Sequence, residues 1–347
     1  LGVRIISTGK ALPNFRVDND RIKELVDTDS EWIVSRTGIE ARHVALEETG
    51  LSLAARAARQ ALEGNWAPYT DPEAEARAKA EGKTPLKGPG PIDPDSIGLI
   101  VFATVSPDAL VPCMASLLKR EMNLQNAVGF DLNAACSGFI FGTWTAESLM
   151  RTSGVKRALV VGCERLSRIT NWTDRGTCIL FGDGAGAAVL ELDDDKPGII
   201  GIHTQSYDDT NDVLTCGIQY LANPFIEEEP AENYLKMNGT QVFRFAVGAV
   251  PEVMEKVIAK TGIKLEDIDY VVPHQANIRI INNISQKYNI PLEKFQISIE
   301  NTGNTSAASV PMALDDLLRT GKVKEGDKLL LVGFGGGLSA GAMILEF

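Results

Sequence analysis

A stretch near the middle of the chain recurs near its end. Residues 148–164, SLMRTSGVKRALVVGCE, and residues 316–334, DLLRTGKVKEGDKLLLVGF, share a helix end, an Arg-Thr turn containing glycine, a Val-Lys pair and a following apolar strand. A second pair agrees: SIGLIVFATVS (96–106) matches DIDYVVPHQAN (267–277), each entered from a helix and an acidic turn. The chain thus reads as two copies of one unit of strands and helices, an α/β protein whose copies pack against each other. With 347 residues and 44% apolar content it is long enough to bury both. The repeat predicts an N-terminal half over 1–195 and a C-terminal half over 196–347, with an insertion at about 65–95 in the first.

The duplication also predicts which side chains meet. In the first copy, VGFDLNAACSGFIFG (128–142) is an apolar strand-like run that breaks at small residues, presents Cys136 and opens a helix. In the second, SIENTGNTSAASVPMALDDLL (298–318) passes through a Gly/Asn/Thr/Ser loop carrying Asn304 before its helix starts. About a pseudo-twofold axis, Cys136 and Asn304 occupy equivalent, facing helix starts. His274, in YVVPHQANIRII (270–281), ends a strand near the same interface. A thiol at a helix N-terminus feels the positive end of the helix dipole, so the expectation for Cys136 is a pKa below the free value of ~8.5. Each residue alone has an ordinary alternative: buried cysteines pack as small hydrophobes, lone histidines are often structural, and asparagine caps helices. Their convergence points to a nucleophile with two partners.

DLNAACSGF, DRGTCILFGDGAGAAVLEL, VPHQANIRII, NTGNTSAASVPMAL and VGFGGGLSAGAMILEF resemble, in order, the motifs of β-ketoacyl-[acyl-carrier-protein] synthase III, and the likeness runs from RIISTGKALP to the last residue, interrupted by one segment between Gly64 and Ile97. The resemblance implies the thiolase-like fold, a five-layered αβαβα arrangement of two pseudo-twofold-related halves. It implies an acyltransferase that loads an acyl group from acyl-CoA onto Cys136 and condenses it with malonyl-acyl-carrier-protein. The products are a 3-oxoacyl-carrier-protein, CoA and carbon dioxide, and fatty-acid synthesis is thereby initiated. A homodimer with no permanently bound cofactor is implied as well.

The chemistry of these side chains fits such a reaction. Cys136 attacking a thioester keeps the acyl group as a new thioester, dividing a hard condensation into two easier steps. Decarboxylation of the malonyl group puts negative charge on a thioester oxygen, for which His274 Nε2 and the Asn304 amide are candidate donors. Whether His274 also takes the proton of Cys136 is not decided by the sequence. A second oxyanion suits the backbone N–H of Cys136 and, by resemblance, that of Gly336, since glycine lets backbone approach a ligand closely. The resemblance further implies CoA contacts from Trp32, Arg36, Arg175, Gly239, Thr240 and Asn277, with Thr240 where asparagine is more usual. It implies carrier-protein docking by Arg244, Arg279 and Lys287, with Arg244 replacing a lysine. Val111, in VSPDALVPCMASLL (105–118), falls where some members carry phenylalanine, in a segment contributed across the dimer interface. A smaller side chain there implies a roomier acyl pocket.

Composition excludes some classes of function. A net charge of −12 disfavours nucleic-acid binding, which needs Lys and Arg against phosphates, and confines any docking of an acidic carrier protein to a local basic patch. No apolar run reaches the ~18 residues of a membrane span, and the start lacks a signal pattern, so a cytoplasmic protein away from membranes is expected. Five cysteines, at 113, 136, 163, 178 and 216, form no C-x-x-C pair, and with three histidines they predict neither a disulfide framework nor a metal site. FGDGAG (181–186) lacks the Lys-Ser/Thr of a phosphate loop and reads as structural. Within the insertion, PEAEARAKAEG (72–82) has good helix formers and suggests one short exposed helix. Rival readings are a ketosynthase of secondary metabolism, a hydroxymethylglutaryl-CoA synthase, a non-catalytic acyl-CoA or carrier-protein binding module, and a papain-like Cys-His-Asn hydrolase.

Overall fold

The structure, a computed structural model, describes residues 2–66, 86–217, 225 and 234–347. The interior of the insertion, including the short helix expected at 72–82, lies outside the described residues. Among the described residues, nine strands build the two larger sheets. The N-terminal sheet contains β1 (Val3–Ala11), β2 (Ile97–Ala103), β3 (Val128–Leu132), β4 (Arg157–Arg165) and β5 (Asp183–Leu192), in the spatial order β1-β5-β4-β2-β3. The C-terminal sheet contains β6 (Ile199–Ser206), β7 (Tyr270–Pro273), β8 (Lys328–Gly335) and β9 (Ser339–Glu346), in the order β7-β8-β9-β6.

The repeat seen in the sequence reappears as one topology used twice. β2 runs parallel to β4, which pairs antiparallel with β5, which pairs antiparallel with β1. β7 runs parallel to β8, which pairs antiparallel with β9, which pairs antiparallel with β6. Only the N-terminal sheet has the further parallel strand β3 beside β2. Its counterpart in the other half is reduced to one parallel bridge between Val271 and Phe295.

Helices cover both faces of both sheets. The described helices of eight or more residues are, in chain order, α1 (Ser30–Thr37), α2 (Gly50–Glu63), α3 (Met114–Met122), α4 (Gly138–Ser153), α5 (Gly239–Thr261), α6 (Ile278–Tyr288) and α7 (Ser309–Arg319). α2 and α3 lie on the outer face of the first sheet, and α5 and α6 on the outer face of the second. α4 and α7 lie between the sheets and touch both, which makes five layers in the order αβαβα. The inner core unites the halves: Val101, Phe139 and Val160 pack in one cluster with Leu314, Leu331 and Met343. Burial on two sides explains why central strands such as β4 and β8 read as continuous apolar runs and not as alternation. No helix among the described residues is long and apolar enough to cross a membrane.

The ends of the insertion are anchored to this frame. α2 starts on a Thr49–Ser52 capping box and stops at Gly64, whose left-handed backbone (φ 62°) suits glycine. A side chain at Gly64 would collide with the carbonyl of Gly90, which approaches because the returning chain pairs through Gly90 N–H to Gly64 O (3.0 Å) and Ile92 N–H to Leu62 O (2.8 Å). Trp66 is buried, donates to Thr8 Oγ1 (3.1 Å) and meets the ring of Phe347 edge-on at 5.4 Å. FGDGAG is structural, as the sequence suggested: Asp183 accepts from Ala45 N–H (2.8 Å), Ser167 N–H (2.9 Å) and Ser167 Oγ–H (2.6 Å).

Candidate active site

The two inner helices begin at the same place, each behind a short 3₁₀ turn, Ala135–Ser137 before α4 and Ser306–Ala308 before α7. Each turn opens on a non-glycine residue in the left-handed region, Ala135 at φ 44° and Ser306 at φ 48°. Such a conformation costs roughly 1–2 kcal/mol per residue, so the surrounding structure must enforce it. Part of that enforcement is visible. Asn133 Oδ1 accepts from Ala135 N–H (3.3 Å), and Asn304 Oδ1 accepts from Ser306 N–H (2.9 Å).

This fixes the internal equivalence more finely than the sequence did. Asn133 corresponds to Asn304, Ala135 to Ser306 and Cys136 to Ala307. The helix starts are equivalent, as expected, but Cys136 and Asn304 are offset by three residues within them, because both loops close on the same asparagine-capped turn. The halves interlock through strand glycines. A Cβ on Gly162 of β4 would lie 2.2 Å from the carbonyl of Ala307, and one on Gly333 of β8 would lie 3.1 Å from Ser137 Cα. Beyond Gly333, Gly335 abuts Cys136, where a Cβ would stand 2.7 Å from its backbone nitrogen.

Cys136, His274 and Asn304 line one cavity of about 1010 Å³. All three are buried, with His274 at the end of β7 held by its N–H to Val332 O (2.7 Å). Its ring meets Phe334 edge-on at 5.1 Å, and Nδ1 lies 2.5 Å from Ser309 Oγ. Ser309 Oγ accepts from Gln275 N–H (3.3 Å), and among the described residues its hydroxyl proton has no hydrogen-bond acceptor other than Nδ1; donated there, it leaves the ring proton on Nε2. Burial lowers the His274 pKa to about 3, so the imidazole is neutral. Asn304 is pinned between Leu180 O (2.8 Å) and Gly182 N–H (3.0 Å). With its Oδ1 occupied by Ser306 N–H, its side-chain NH2 is the end available for donation.

One sequence expectation is overturned here. Cys136 does sit at a helix start, but its thiol is not acidified: burial, and secondarily the carboxyl of Glu164, pushes its pKa up to about 12 against a smaller opposing effect of the Ser306 hydroxyl. Desolvation outweighs the helix dipole, whose effect is only about 0.3–2 kcal/mol. The resting residue is a thiol.

Comparison with known proteins fits this geometry. The family described as 3-oxoacyl-[acyl-carrier-protein (ACP)] synthase III matches residues 130–208, and its C-terminal counterpart matches residues 258–347. A β-ketoacyl-[acyl-carrier-protein] synthase III of Clostridium acetobutylicum is 42% identical over 346 residues, spanning 99% of this chain and 98% of its own. The chain belongs to this synthase III family. It is a condensing enzyme, an acyltransferase that initiates fatty-acid synthesis, with the thiolase-like fold. The crystal structure of 3-oxoacyl-[acyl-carrier-protein] synthase III from Aquifex aeolicus superposes with a TM-score of 0.84 at 37% identity over the full length of both chains. The priming β-ketosynthase of the R1128 polyketide pathway also gives a TM-score of 0.84, at 32% identity, over 100% of this chain and 96% of its own.

The remaining sequence candidates of the synthase fall into three groups. Trp32, Arg36, Gly239, Thr240, Asn277, Arg244, Arg279 and Gly336 line the same cavity as Cys136. Arg175 is outside that lining but lies 4.8 Å from the Trp32 ring, and Arg36 lies 6.0 Å from it. Asn277 caps α6 by accepting from Arg279 N–H (2.9 Å) and donates to Arg36 O (3.1 Å), tying α1 to α6. Arg279 stacks over Phe243 at 5.5 Å. Lys287 is exposed, away from the cavity lining and 4.0 Å from Glu255. Val111 does not line the cavity of its own chain and is 89% exposed.

Three side chains beside the site escaped the sequence reading: Ser306, Ser309 and Glu164. Ser306 and Ser309 look like ordinary helix-start residues. Aligning NAACSG (133–138) with NTSAAS (304–309) would have singled them out as polar where the twin has Ala135 and Gly138.

Proposed function

We propose that the synthase loads an acyl group from acyl-CoA onto Cys136 and condenses it with malonyl-acyl-carrier-protein, His274 and Asn304 serving the second step as paired donors to the developing oxyanion. The observation that carries this reading is the protonation of His274. A neutral imidazole with its proton on Nε2 is a hydrogen-bond donor, which decarboxylation requires. The same geometry argues against a papain-like hydrolase. There the asparagine orients the histidine, whereas here Ser309 does so, and Asn304 Oδ1 is committed to Ser306. In the acyl-transfer steps the oxyanion is assigned to the N–H groups of Cys136 and Gly336. Presenting acyl-CoA and malonyl-carrier-protein together tests the whole reading: it requires 3-oxoacyl-carrier-protein and carbon dioxide, and a free acid as sole product would sink it.

The other roles follow the cavity outward. Trp32, with Arg36 and Arg175 around its ring, supplies an aromatic face and two cations suited to the adenine and phosphates of CoA. Gly239, Thr240 and Asn277 are assigned to the pantetheine arm between that face and Cys136. Arg244 and Arg279, on a chain of net charge −12, form the local basic patch an acidic carrier protein needs, with Lys287 at its margin. Arg279→Glu is expected to raise the KM for malonyl-carrier-protein about tenfold while changing the rate of acyl loading less than about twofold. Equal effects on both half-reactions would remove Arg279 from docking.

Val111 is assigned to the acyl pocket of a second copy in a homodimer. Its exposure, together with that of Leu110 at 76%, suits a segment that is covered only on dimerisation. With valine at this position the pocket should accept primers longer or more branched than acetyl. Loading of isobutyryl- or butyryl-CoA within about tenfold of acetyl-CoA is expected, and exclusion of both, together with octanoyl-CoA, would refute it.

A further inference from the structure

We propose that Gln275 is a positioning residue for the condensation step: its side-chain amide ties the loop of His274 to the loop of Asn304 and so holds the two donors at one spacing. This rests on the reading of His274 and Asn304 as paired oxyanion donors. Gln275 itself touches no reacting atom in this scheme and acts through its neighbours.

The amide is fully buried and spends its whole hydrogen-bonding capacity on backbone. Nε2 donates to Pro273 O (2.7 Å), the residue before His274, and across the gap to Gln296 O (3.0 Å). Oε1 accepts from Ser298 N–H (2.9 Å) and Ile299 N–H (3.1 Å). Those two N–H groups open the short helical turn Ile299–Thr302, to which Ser298 gives no side-chain cap. Gln275, 23 positions or more away in the chain, therefore supplies the cap that the turn lacks locally. The turn leads straight to Asn304. Gly303 N–H closes it on Ile299 O (3.0 Å), and Gly303 has a left-handed φ of 61° at a point where a Cβ would lie 2.8 Å from Leu180 O. Leu180 and Gly182 thus fix the far end of this segment, and Gln275 fixes the near end. On its other side the Gln275 N–H reaches Ser309 Oγ, the same hydroxyl that holds His274 Nδ1.

The internal repeat explains why the second half requires such a tie. In the first half, β2 and β3 stay paired to their ends: Ala103 pairs with Leu132, Thr104 N–H donates to Leu132 O (3.1 Å), and Asn133 follows at once. The ladder itself delivers the asparagine. In the second half the matching pairing is the single bridge between Val271 and Phe295, followed by Gln296 N–H to Val271 O (2.9 Å). Three residues, 130–132, lead from Gly129 to Asn133, whereas eight, 296–303, lead from the equivalent Phe295 to Asn304. Gln275 stands where the first half has Thr104, and its amide makes across the gap the backbone contacts that a continuing strand would have made.

The test measures the two half-reactions separately, with rates counted per loaded enzyme so that any loss of folded protein cancels. Gln275→Met removes the hydrogen bonds at similar volume, Gln275→Asn is one methylene too short to span the gap, and Gln275→Glu keeps the reach and the acceptor. Met and Asn are each expected to slow condensation with malonyl-carrier-protein about 10- to 100-fold, the scale of a small misplacement of a reacting geometry, and to slow acyl loading by no more than about threefold. Glu, held neutral by burial, should lose less than either. Combined with Asn304→Ala, Gln275→Met should cost less than about threefold beyond Asn304→Ala alone, because the donor it positions is already gone. Should Gln275→Met fail to fold, Gln275→Asn takes its place in both comparisons. Condensation within about twofold of wild type, equal losses in both half-reactions, or full additivity with Asn304→Ala overturns the positioning role. Wild-type condensation by Asn304→Ala alone overturns the donor reading beneath it.

Discussion

Cys136→Ser protein is expected to carry no acyl mass after exposure to acyl-CoA under conditions that fully load the wild type. The loss in loading rate should be at least about 1,000-fold, because the hydroxyl is both far less acidic and a weaker nucleophile toward a thioester. The site accentuates this difference. Burial already holds the thiol near pKa 12, and the same desolvation acts on an alkoxide that starts from a much higher value. Substitution by serine leaves the local structure in place: the Ser137–Ser339 hydroxyl contact (2.6 Å) and the approach of Gly335 do not depend on the sulfur. Peptide mapping must accompany the intact mass, since Cys216 also lines the cavity and is exposed. An adduct of wild-type abundance that maps to Cys216 in both proteins would remove Cys136 from the mechanism.

The parts of this site that were legible in the sequence are those fixed by local pattern and by duplication. Strand, small-residue loop and helix start could be read twice, and the repeat brought Cys136, His274 and Asn304 together although up to 168 positions separate them. What could not be read depends on tertiary contact, within each half as well as between them. The thiol pKa is the clearest case. A helix start is a local feature and predicts acidification, but desolvation by the opposite half reverses the sign. Ser309 and Ser306 are similar. Each is an unremarkable polar residue in a helix-start motif, and only the fold sets one against His274 Nδ1 and the other on the cavity that Cys136 lines. Glu164 closes an apolar strand, where a carboxylate reads as an exposed strand end, and its full burial follows from Thr104, Val105 and Ser106 folding over it. The three-residue offset between Cys136 and Asn304 was likewise hidden, since the asparagine caps that define the register become informative only once both turns are superposed.

The division of labour in the site makes a second large effect predictable, one that separates the half-reactions. His274→Ala and Asn304→Ala should each slow decarboxylative condensation by about 100- to 1,000-fold, the usual consequence of removing one oxyanion donor, worth roughly 3–4 kcal/mol. Neither should slow acyl loading by more than about tenfold, because the loading oxyanion is assigned to backbone N–H groups. Pre-loading each variant with acetyl-CoA and then adding malonyl-carrier-protein, with rapid-quench detection of the product, measures the two rates separately. Ser309→Ala should follow the same pattern more weakly, since it frees the tautomer of His274 without deleting the ring. The pH behaviour gives an independent check. Burial lowers the His274 pKa from 6.5 to about 3, so the ring is already neutral across the working range and protonates only in strong acid. Condensation by pre-loaded enzyme should therefore show no limb near 6.5 attributable to His274. If a limb appears there and disappears in His274→Ala, the ring cycles through imidazolium, and its role as a neutral donor fails.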